Sequence, residues 1–140
     1  MPALRLFDFT QQLLELSMRV RGARHEILSA NIANVDTPGF RPRELDFASV
    51  MRSAVEMDDS SSSSREQQIQ ALLASPLDLQ SAVHEQSDPR HGDDRLDGNS
   101  VGLDQQIALL NENALSYEAS LTLFSRTLAK LRYVIGEGRG

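Results

Sequence analysis

The sequence predicts a mainly α-helical protein, in which two long terminal helices pack as a coiled-coil pair and a short irregular middle region joins them. Apolar residues recur at every third or fourth position over about four heptads near each end of the chain. Five consecutive serines interrupt the middle, which otherwise shows only short helical patterns. We expect an N-terminal helix over residues 1–36, the irregular region over residues 37–101 and a C-terminal helix over residues 102–140.

The N-terminal helix carries two apolar rows on different faces. The first row runs from Leu6 to Ala30, reaches Asn34, and has as its central members Leu13, Leu16, Val20 and Ile27. The second row contains Leu14, Met18, Leu28 and Ile32. One partner helix cannot cover both rows. Either the middle region folds back over the second row, or another chain covers it.

The C-terminal helix carries one continuous apolar row. It begins at Leu103 and includes Ile107, Leu110, Tyr117, Leu121, Phe124, Leu128 and Leu131. The simplest interpretation is an antiparallel helix hairpin, in which this row closes a core within the chain. Apolar rows of this length also mark surfaces that bind other chains when they stay exposed.

A tight turn is predicted to follow the first helix. Thr37 precedes a proline and is therefore pushed out of helical geometry, so the helix must end near Asn34. Pro38 and Gly39 suit the central positions of a type II turn, because proline fixes the first dihedral and glycine accepts a positive φ. Asp36 can accept backbone N–H groups within such a turn.

Two asparagines lie at the end of this helix. Asn31 and Asn34 are one turn apart and share a face, on which Asn34 continues the first row. They could simply cap the helix and the turn. Alternatively, their amides hydrogen-bond a neighbouring loop or chain and lock the place where the helix end docks, as polar residues in helix seams do.

The middle region contains two short helical patterns around the serine run. Within residues 44–57, Asp46 is a plausible N-cap and one face collects Phe47, Val50, Met51 and Ala54. Residues 66–74 are predicted to form a second short helix, which ends before Pro76. The residues on its inward face are Ile69, Leu72 and Leu73. Residues 58–65, with the serines, are expected to be a flexible loop.

Composition excludes several classes of protein. The net charge of -6 lies entirely in residues 51–100, which hold four cations and ten acids, and a nucleic-acid surface needs a basic stripe instead. Cysteine is absent, so neither a disulfide nor a thiolate metal site can form. No apolar run approaches the roughly 20 residues that cross a membrane. The N-terminus lacks the basic and then apolar segments of a secretory signal peptide.

No catalytic, cofactor or metal pattern is found either. Residues 93–104 resemble a calcium loop only in part, because Arg95 stands at the third ligand position and Asp104 replaces the bidentate glutamate. The histidines lack the spacing of a zinc site; they are His25, His84 and His91. We therefore expect neither an enzyme nor a small-molecule substrate.

Two segments resemble bacterial flagellar axial proteins, the rod and hook group. Residues 30–47 read ANIANVDTPGFRPRELDF, and their signature residues are Asn31, Asn34, Asp36, Thr37, Pro38, Gly39 and Phe40. The continuation Arg41 to Phe47 is similar to proximal rod proteins rather than to distal rod or hook proteins. Residues 96–135 are similar to the C-terminal block of the same proteins. The chain departs from the family's usual pattern at Phe40, where tyrosine is common, and at Gly102, where an acid is common.

The resemblance implies a structural subunit of the proximal rod of the flagellar basal body. Such proteins polymerise through a coiled-coil core of terminal helices into a helical tube that transmits torque from the motor. They are exported by the flagellar type III apparatus without a cleaved signal peptide and lie in the periplasm-spanning rod. Their implied partners are their own copies, other rod subunits, the FliE-type adaptor, the membrane ring and the export gate. The alternative is a self-contained helical adaptor, or a dimerisation module, that binds a partner helix.

Overall fold

Two long helices dominate the structure. The computed structural model describes residues 2–56, 67, 69–71, 73–74, 79–86 and 102–137, with side chains between residues 9 and 136. In chain order the elements are α1 (Pro2–Ala33), β1 (Arg43–Leu45), α2 (Phe47–Val55), β2 (Val83–Glu85) and α3 (Leu103–Glu137). At about 1.5 Å per residue, α1 and α3 are each on the order of 50 Å long. The predicted fold class is confirmed.

The two long helices pack side by side in opposite directions. The hydroxyl oxygens of Ser17 and Ser120 lie 3.4 Å apart. Fourteen residues further along α1, Asn31 reaches Gln106, which lies fourteen residues earlier on α3. Residue numbers therefore increase along α1 in the direction in which they decrease along α3, so the two helices form an antiparallel hairpin.

The main apolar core lies between α1 and the middle region. Its buried members are Leu16, Val20, Leu45, Val50, Ala54, Ile69 and Leu79. Leu13 and Ile27 pack against this cluster while remaining partly exposed. The middle region thus covers the first row of α1. It folds back on α1, and the buried cluster that it forms there contains members of the first row rather than of the second.

The apolar row of α3 does not close the hairpin as expected. Leu103, Ile107, Tyr117 and Leu121 are exposed, although Leu110, Phe124, Leu128 and Leu131 are half-buried. The side chains that α3 buries completely are Gln106 and Asn113, and Ser120 is nearly so. Because these polar residues occupy the contact with α1, the apolar row is rotated away from it.

A short antiparallel ladder ties the two ends of the middle region together. Arg43 of β1 pairs with Glu85 of β2, and Leu45 pairs with Val83. The Gln86 N–H donates to the carbonyl of Pro42 at 2.8 Å and extends this pairing by one bond. The sequence predicts only short helices within the irregular region over residues 37–101, so the strands β1 and β2 correct that expectation. Strands of three residues are too short to show a period of two.

The helix α2 forms as the sequence predicts. The Asp46 carboxylate accepts the Ser49 N–H at 3.0 Å, which confirms the N-cap, and Val50 and Ala54 are buried. In the second short pattern, residues 67, 69–71 and 73–74 are helical, Ile69 is buried and Leu73 packs against the core. Leu72, the serine-containing segment 58–65 and most of the calcium-like segment lie outside the described residues.

Within the ranges described above, no helix combines the length and the apolarity that a membrane span requires.

Candidate functional site

The turn after α1 has the predicted geometry. The Phe40 N–H donates to the Thr37 carbonyl at 3.1 Å, and Gly39 has a φ of 72°. Asn34 serves as a local cap, because its Nδ2 donates to the Ala30 carbonyl at 2.8 Å and its Oδ1 lies 3.3 Å from the Thr37 hydroxyl. Among the described residues, the hydrogen bonds of this turn do not involve the exposed Asp36 carboxylate. Asn34 therefore follows the simpler interpretation of a cap and a turn.

Asn31 makes a longer-range connection. Its Nδ2 donates to the Arg43 carbonyl at 2.7 Å, and its Oδ1 accepts the Arg43 N–H at 3.0 Å. The same Nδ2 also donates to Gln106 Oε1 at 2.8 Å. Gln106 Nε2 in turn donates to Gln86 Oε1 at 2.9 Å. One buried amide thus joins α1 to β1 and to α3, and the chain of amides continues to the end of β2.

A polar row recurs at seven-residue intervals on both long helices. It contains Ser17, Arg24 and Asn31 on α1 and Gln106, Asn113 and Ser120 on α3. Buried polar residues at such positions fix the register of paired helices, because a shift would leave them without partners. Sequence reasoning missed the row on α3 because it followed apolar residues only. The spacing of seven was the signal that could have revealed it.

The second row of α1 and the apolar row of α3 lie on the same side of the hairpin. Met18 and Ile32 each follow a member of the polar row by one position, as do Ile107 and Leu121 on α3. In an antiparallel pair, equal offsets from the contact line place residues on one side. We call this surface the outer face. It contains Leu14, Met18, Leu28 and Ile32 from α1 and Leu103, Ile107, Leu110, Ala114, Tyr117 and Leu121 from α3.

The two halves of the outer face differ in exposure. On α1, Leu28 is buried, and Leu14, Met18 and Ile32 are half-buried. On α3, Ile107 is 41% exposed and Leu121 is 45% exposed. Since isolated apolar side chains are common on protein surfaces, what matters is that these lie in one continuous row along the helix. The arrangement suits the binding of another helix.

A notch interrupts the outer face where Gly22 of α1 leaves space beside α3. Its volume is about 370 Å³, and its borders include Glu26, Asn113, Ala114, Tyr117 and Glu118. The Nδ2 of Asn113 donates to the Arg21 carbonyl at 2.8 Å. The Oδ1 of Asn113 is buried and accepts no hydrogen bond within the described residues. Asn113 therefore brings to the border of the notch an acceptor that the described residues leave unsatisfied.

Arg21 also borders the notch, but its cation is engaged elsewhere. The guanidinium carbon lies 4.0 Å from the centroid of the Phe47 ring, a cation–π contact. Burial, and then repulsion from Arg24, lower the pKa of Arg21, whereas Glu112 acts in the opposite direction. Arg24 itself pairs with Glu44 at 2.8 Å. These contacts fasten α1 to the middle region next to the notch.

Nothing in this arrangement points to chemistry. Among the described residues, no group of three His, Asp or Glu side chains is placed to hold a metal ion. The shape and composition of the outer face and its notch fit the binding of a protein surface rather than of a substrate.

Comparison with known proteins gives the family. A family model described as flagella basal body rod protein matches residues 21–41, from the second half of α1 through the turn. The flagellar basal body rod protein FlgB of Yersinia ruckeri is 33% identical over 138 residues, which cover 93% of each chain. FlgB of Escherichia coli K12 is 33% identical over 139 residues, covering 94% of this chain and 96% of the relative. FlgB of Yersinia enterocolitica is 32% identical over 136 residues. Similarity of this extent leads to one conclusion: the chain belongs to the FlgB family of flagellar basal body rod proteins.

Proposed function

We propose that this protein is a structural subunit of the flagellar basal-body rod, which polymerises through its terminal helices into a helical tube and transmits torque from the motor. The family is one of structural flagellar proteins and not of enzymes. The observation that best supports polymerisation is the outer face, in which the apolar row of α3 stays exposed while polar residues make the contact with α1.

Burial of the outer face supplies a driving force for assembly. A Leu or Ile side chain gains about 1.5–3 kcal/mol when it is buried completely. Ile107 and Leu121 are 41% and 45% exposed, so covering each would contribute on the order of 1 kcal/mol. Several such contacts along a helix, repeated for every neighbour, add up to a stable polymer. If the contact joins two different surfaces and does not close into a ring, the product is a helical filament.

The hydrogen bonds between α1 and α3 suit a part that must resist twisting. Asn31 and Gln106 connect the helices near one end, and Ser17 lies against Ser120 more than three turns away. Such a pair presents the outer face in one register before assembly, which reduces the entropy that binding must cost. We infer that torque passes along register-locked helices of this kind.

The partners and the location extend the same proposal. We propose the periplasm-spanning proximal rod as the location and export without a cleaved signal peptide as the route. The neighbours would be copies of this chain, other rod subunits, the FliE-type adaptor, the membrane ring and the export gate. Support comes from the resemblance of the signature and of the C-terminal block to proximal rod proteins, and from membership of the FlgB family.

A matched pair of leucine substitutions tests the proposed function. Leu121→Ser removes an apolar side chain from the outer face, whereas Leu115→Ser removes a more exposed leucine, 68% exposed, from another face of α3. We expect both isolated chains to keep their helicity by circular dichroism. We expect purified basal bodies to lose the Leu121 variant and to retain the Leu115 variant, with swimming affected in parallel.

The opposite outcomes would favour the alternative function. A self-contained adaptor that binds a partner helix would be found in the cytosol and be absent from purified basal bodies, even as the unaltered chain. Normal incorporation of the Leu121 variant would show that the outer face does not drive assembly.

A further inference from the structure

One residue on the border of the notch, Asn113, carries a buried amide oxygen that the described residues leave without a hydrogen bond. Asn113 is only 1% exposed, and its Nδ2 donates to the Arg21 carbonyl, which fixes the other amide atom as oxygen. That Oδ1 has no hydrogen-bond partner within the described residues. A buried acceptor without a partner is costly, so this border of the notch is stabilised if a neighbouring chain brings a donor to it.

The surroundings of Asn113 select a cationic donor. Glu26 and Glu118 border the notch, are exposed, and form no ion pair within the described part of the chain. Tyr117 contributes an aromatic ring to the same border, and such rings attract cations. The nearby cation of Arg21 is stacked on Phe47. A lysine or arginine side chain in the notch would lie between the carboxylates of Glu26 and Glu118, with His25 as a further neighbour, whereas a carboxylate would be repelled by the two acids.

The chain itself offers such a donor on another part of α3. Between residues 119 and 136 the charged residues are all cations, namely Arg126, Lys130 and Arg132. Arg126 and Lys130 are four residues apart and therefore share a face. The same face carries the exposed Leu123 and Val134. We call the surface formed by Leu123, Arg126, Lys130 and Val134 the basic stripe. Neither Arg126 nor Lys130 forms an ion pair within the described residues.

The first part of α3 has the opposite charge. Between residues 103 and 118 its charged residues are all acids, namely Asp104, Glu112 and Glu118. One helix thus carries an acidic half, which borders the notch, and a basic half, which bears the stripe. When the acidic half of one copy contacts the basic half of another, the two chains contribute different surfaces to the interface.

We propose that the notch of one copy receives a cation from the basic stripe of a second copy, which sets the stagger between neighbouring subunits. The inference rests on the proposed function, since it describes one contact between copies in the rod. Apolar residues of the stripe then lie against the row that contains Ile107, Tyr117 and Leu121. Because the notch and the stripe are separate surfaces, each added copy leaves a free notch at one end and a free stripe at the other.

Charge reversal with rescue tests the contact. Glu118→Arg should lower the amount of this chain in purified basal bodies roughly tenfold or more, the change that one such lost pair produces in an association constant. The double variant Arg126→Glu with Lys130→Glu should have the same effect. Combining Glu26→Arg and Glu118→Arg with the two reversals of the stripe restores opposite charges at both carboxylate positions of the notch, and incorporation should recover. Glu15→Arg is the control, because Glu15 is an exposed acid of α1 that does not border the notch.

Cysteine cross-linking provides a second readout that does not depend on charge. The natural chain has no cysteine, and a Cβ added at Gly22 meets nothing within 4 Å. Two chains are co-expressed, one with Gly22→Cys and the other with Ala129→Cys, which lies next to Lys130. Mild oxidation of basal bodies should give a covalent dimer from this pair. It should give none when Ala108→Cys, in the acidic half of α3, replaces the second variant.

The outcomes separate the contact from the function. Rescue by the combined reversal of both notch carboxylates and both stripe cations, together with a dimer from positions 22 and 129 alone, supports the proposal. Normal incorporation of the single reversals, failure of rescue, or equal cross-linking of the control pair would overturn it and leave the rod function standing. Absence of the unaltered chain from purified basal bodies would overturn both.

Discussion

Asn31 and Gln106 are 75 residues apart in the sequence, and the Asn31 Nδ2 donates to the Gln106 Oε1 at 2.8 Å. Both side chains are 1% exposed. The same asparagine makes two hydrogen bonds with the Arg43 backbone. An amide side chain at the end of α1 therefore has a structural role. The helices α1 and α3 and the strand β1 meet there, and the Asn31 amide connects all three.

Replacing Asn31 should have a large effect on stability. Asn31→Ala leaves the Arg43 N–H and the Gln106 Oε1 without their partner, and each buried unsatisfied group costs about 1–3 kcal/mol. We expect the free energy of unfolding to fall by about 2–4 kcal/mol in urea denaturation followed by circular dichroism. Asn34→Ala is the control, because the Asn34 side chain bonds, within the described residues, only to Ala30 and Thr37 close by in the sequence. An equal loss in the two variants would contradict the assigned role of Asn31.

The apolar core should respond differently from the outer surface of α3. Leu16 is completely buried between α1 and the middle region, so Leu16→Ala should lower the free energy of unfolding by about 2–5 kcal/mol. Leu115 is 68% exposed, and Leu115→Ala should change it by less than about 0.5 kcal/mol. Thermal denaturation of the two isolated variants measures the difference. Similar melting temperatures would mean that the middle region does not cover α1.

Substitution by alanine should lower the stability of the protein at Gly39 and raise it at Gly22. Gly39 has a φ of 72°, so Gly39→Ala should cost about 1–2 kcal/mol of stability through backbone strain alone, since a Cβ there meets nothing within 4 Å. Gly22 lies inside α1 with equally open space, so Gly22→Ala should stabilise the isolated chain by about 0.5–1 kcal/mol. Urea denaturation of both variants checks the signs. Destabilisation by Gly22→Ala would show that the space at the notch is needed for folding.

Two ion pairs on the ladder should differ in strength. Glu44 pairs with Arg24 at 2.8 Å with both side chains largely covered, whereas Glu85 pairs with Arg41 at 3.1 Å in solvent. Glu44→Gln should lower the free energy of unfolding by roughly 1–2 kcal/mol, since Arg24 would remain partly buried without its partner. Glu85→Gln should change it by less than about 1 kcal/mol. Raising the salt concentration should reduce the second effect more than the first; a larger effect at Glu85 would reverse this assignment.

The sequence predicts the local elements well because their causes are local. The apolar periodicity gives both long helices, Asp46 gives the start of α2, and the pair Pro38 and Gly39 gives the turn. Each of these sequence patterns determines the backbone conformation of residues close to it in the sequence. Such elements can therefore be predicted without knowing which distant residues they contact.

The partners of each face could not be predicted in the same way. An apolar row shows that one face of a helix is buried, but it does not identify the element that buries it. The first row of α1 was therefore expected to pack against α3, whereas in the structure it packs against the middle region. The contact with α3 is made by polar residues such as Asn113 and Ser120, which apolar patterns pass over. The notch was missed for the same reason: it depends on how Gly22 and Asn113 meet across two helices.

The ladder between β1 and β2 has a consequence for how such chains can change. It clamps the two ends of the intervening segment side by side, with Leu45 opposite Val83. Residues 58–65 within this segment are predicted from the sequence to be a flexible loop, and doubling the length of such a loop adds only about 0.6 kcal/mol of closure entropy. Insertions at these residues should therefore leave the hairpin of α1 and α3 folded, which makes them a suitable position at which to graft an epitope or a fluorophore.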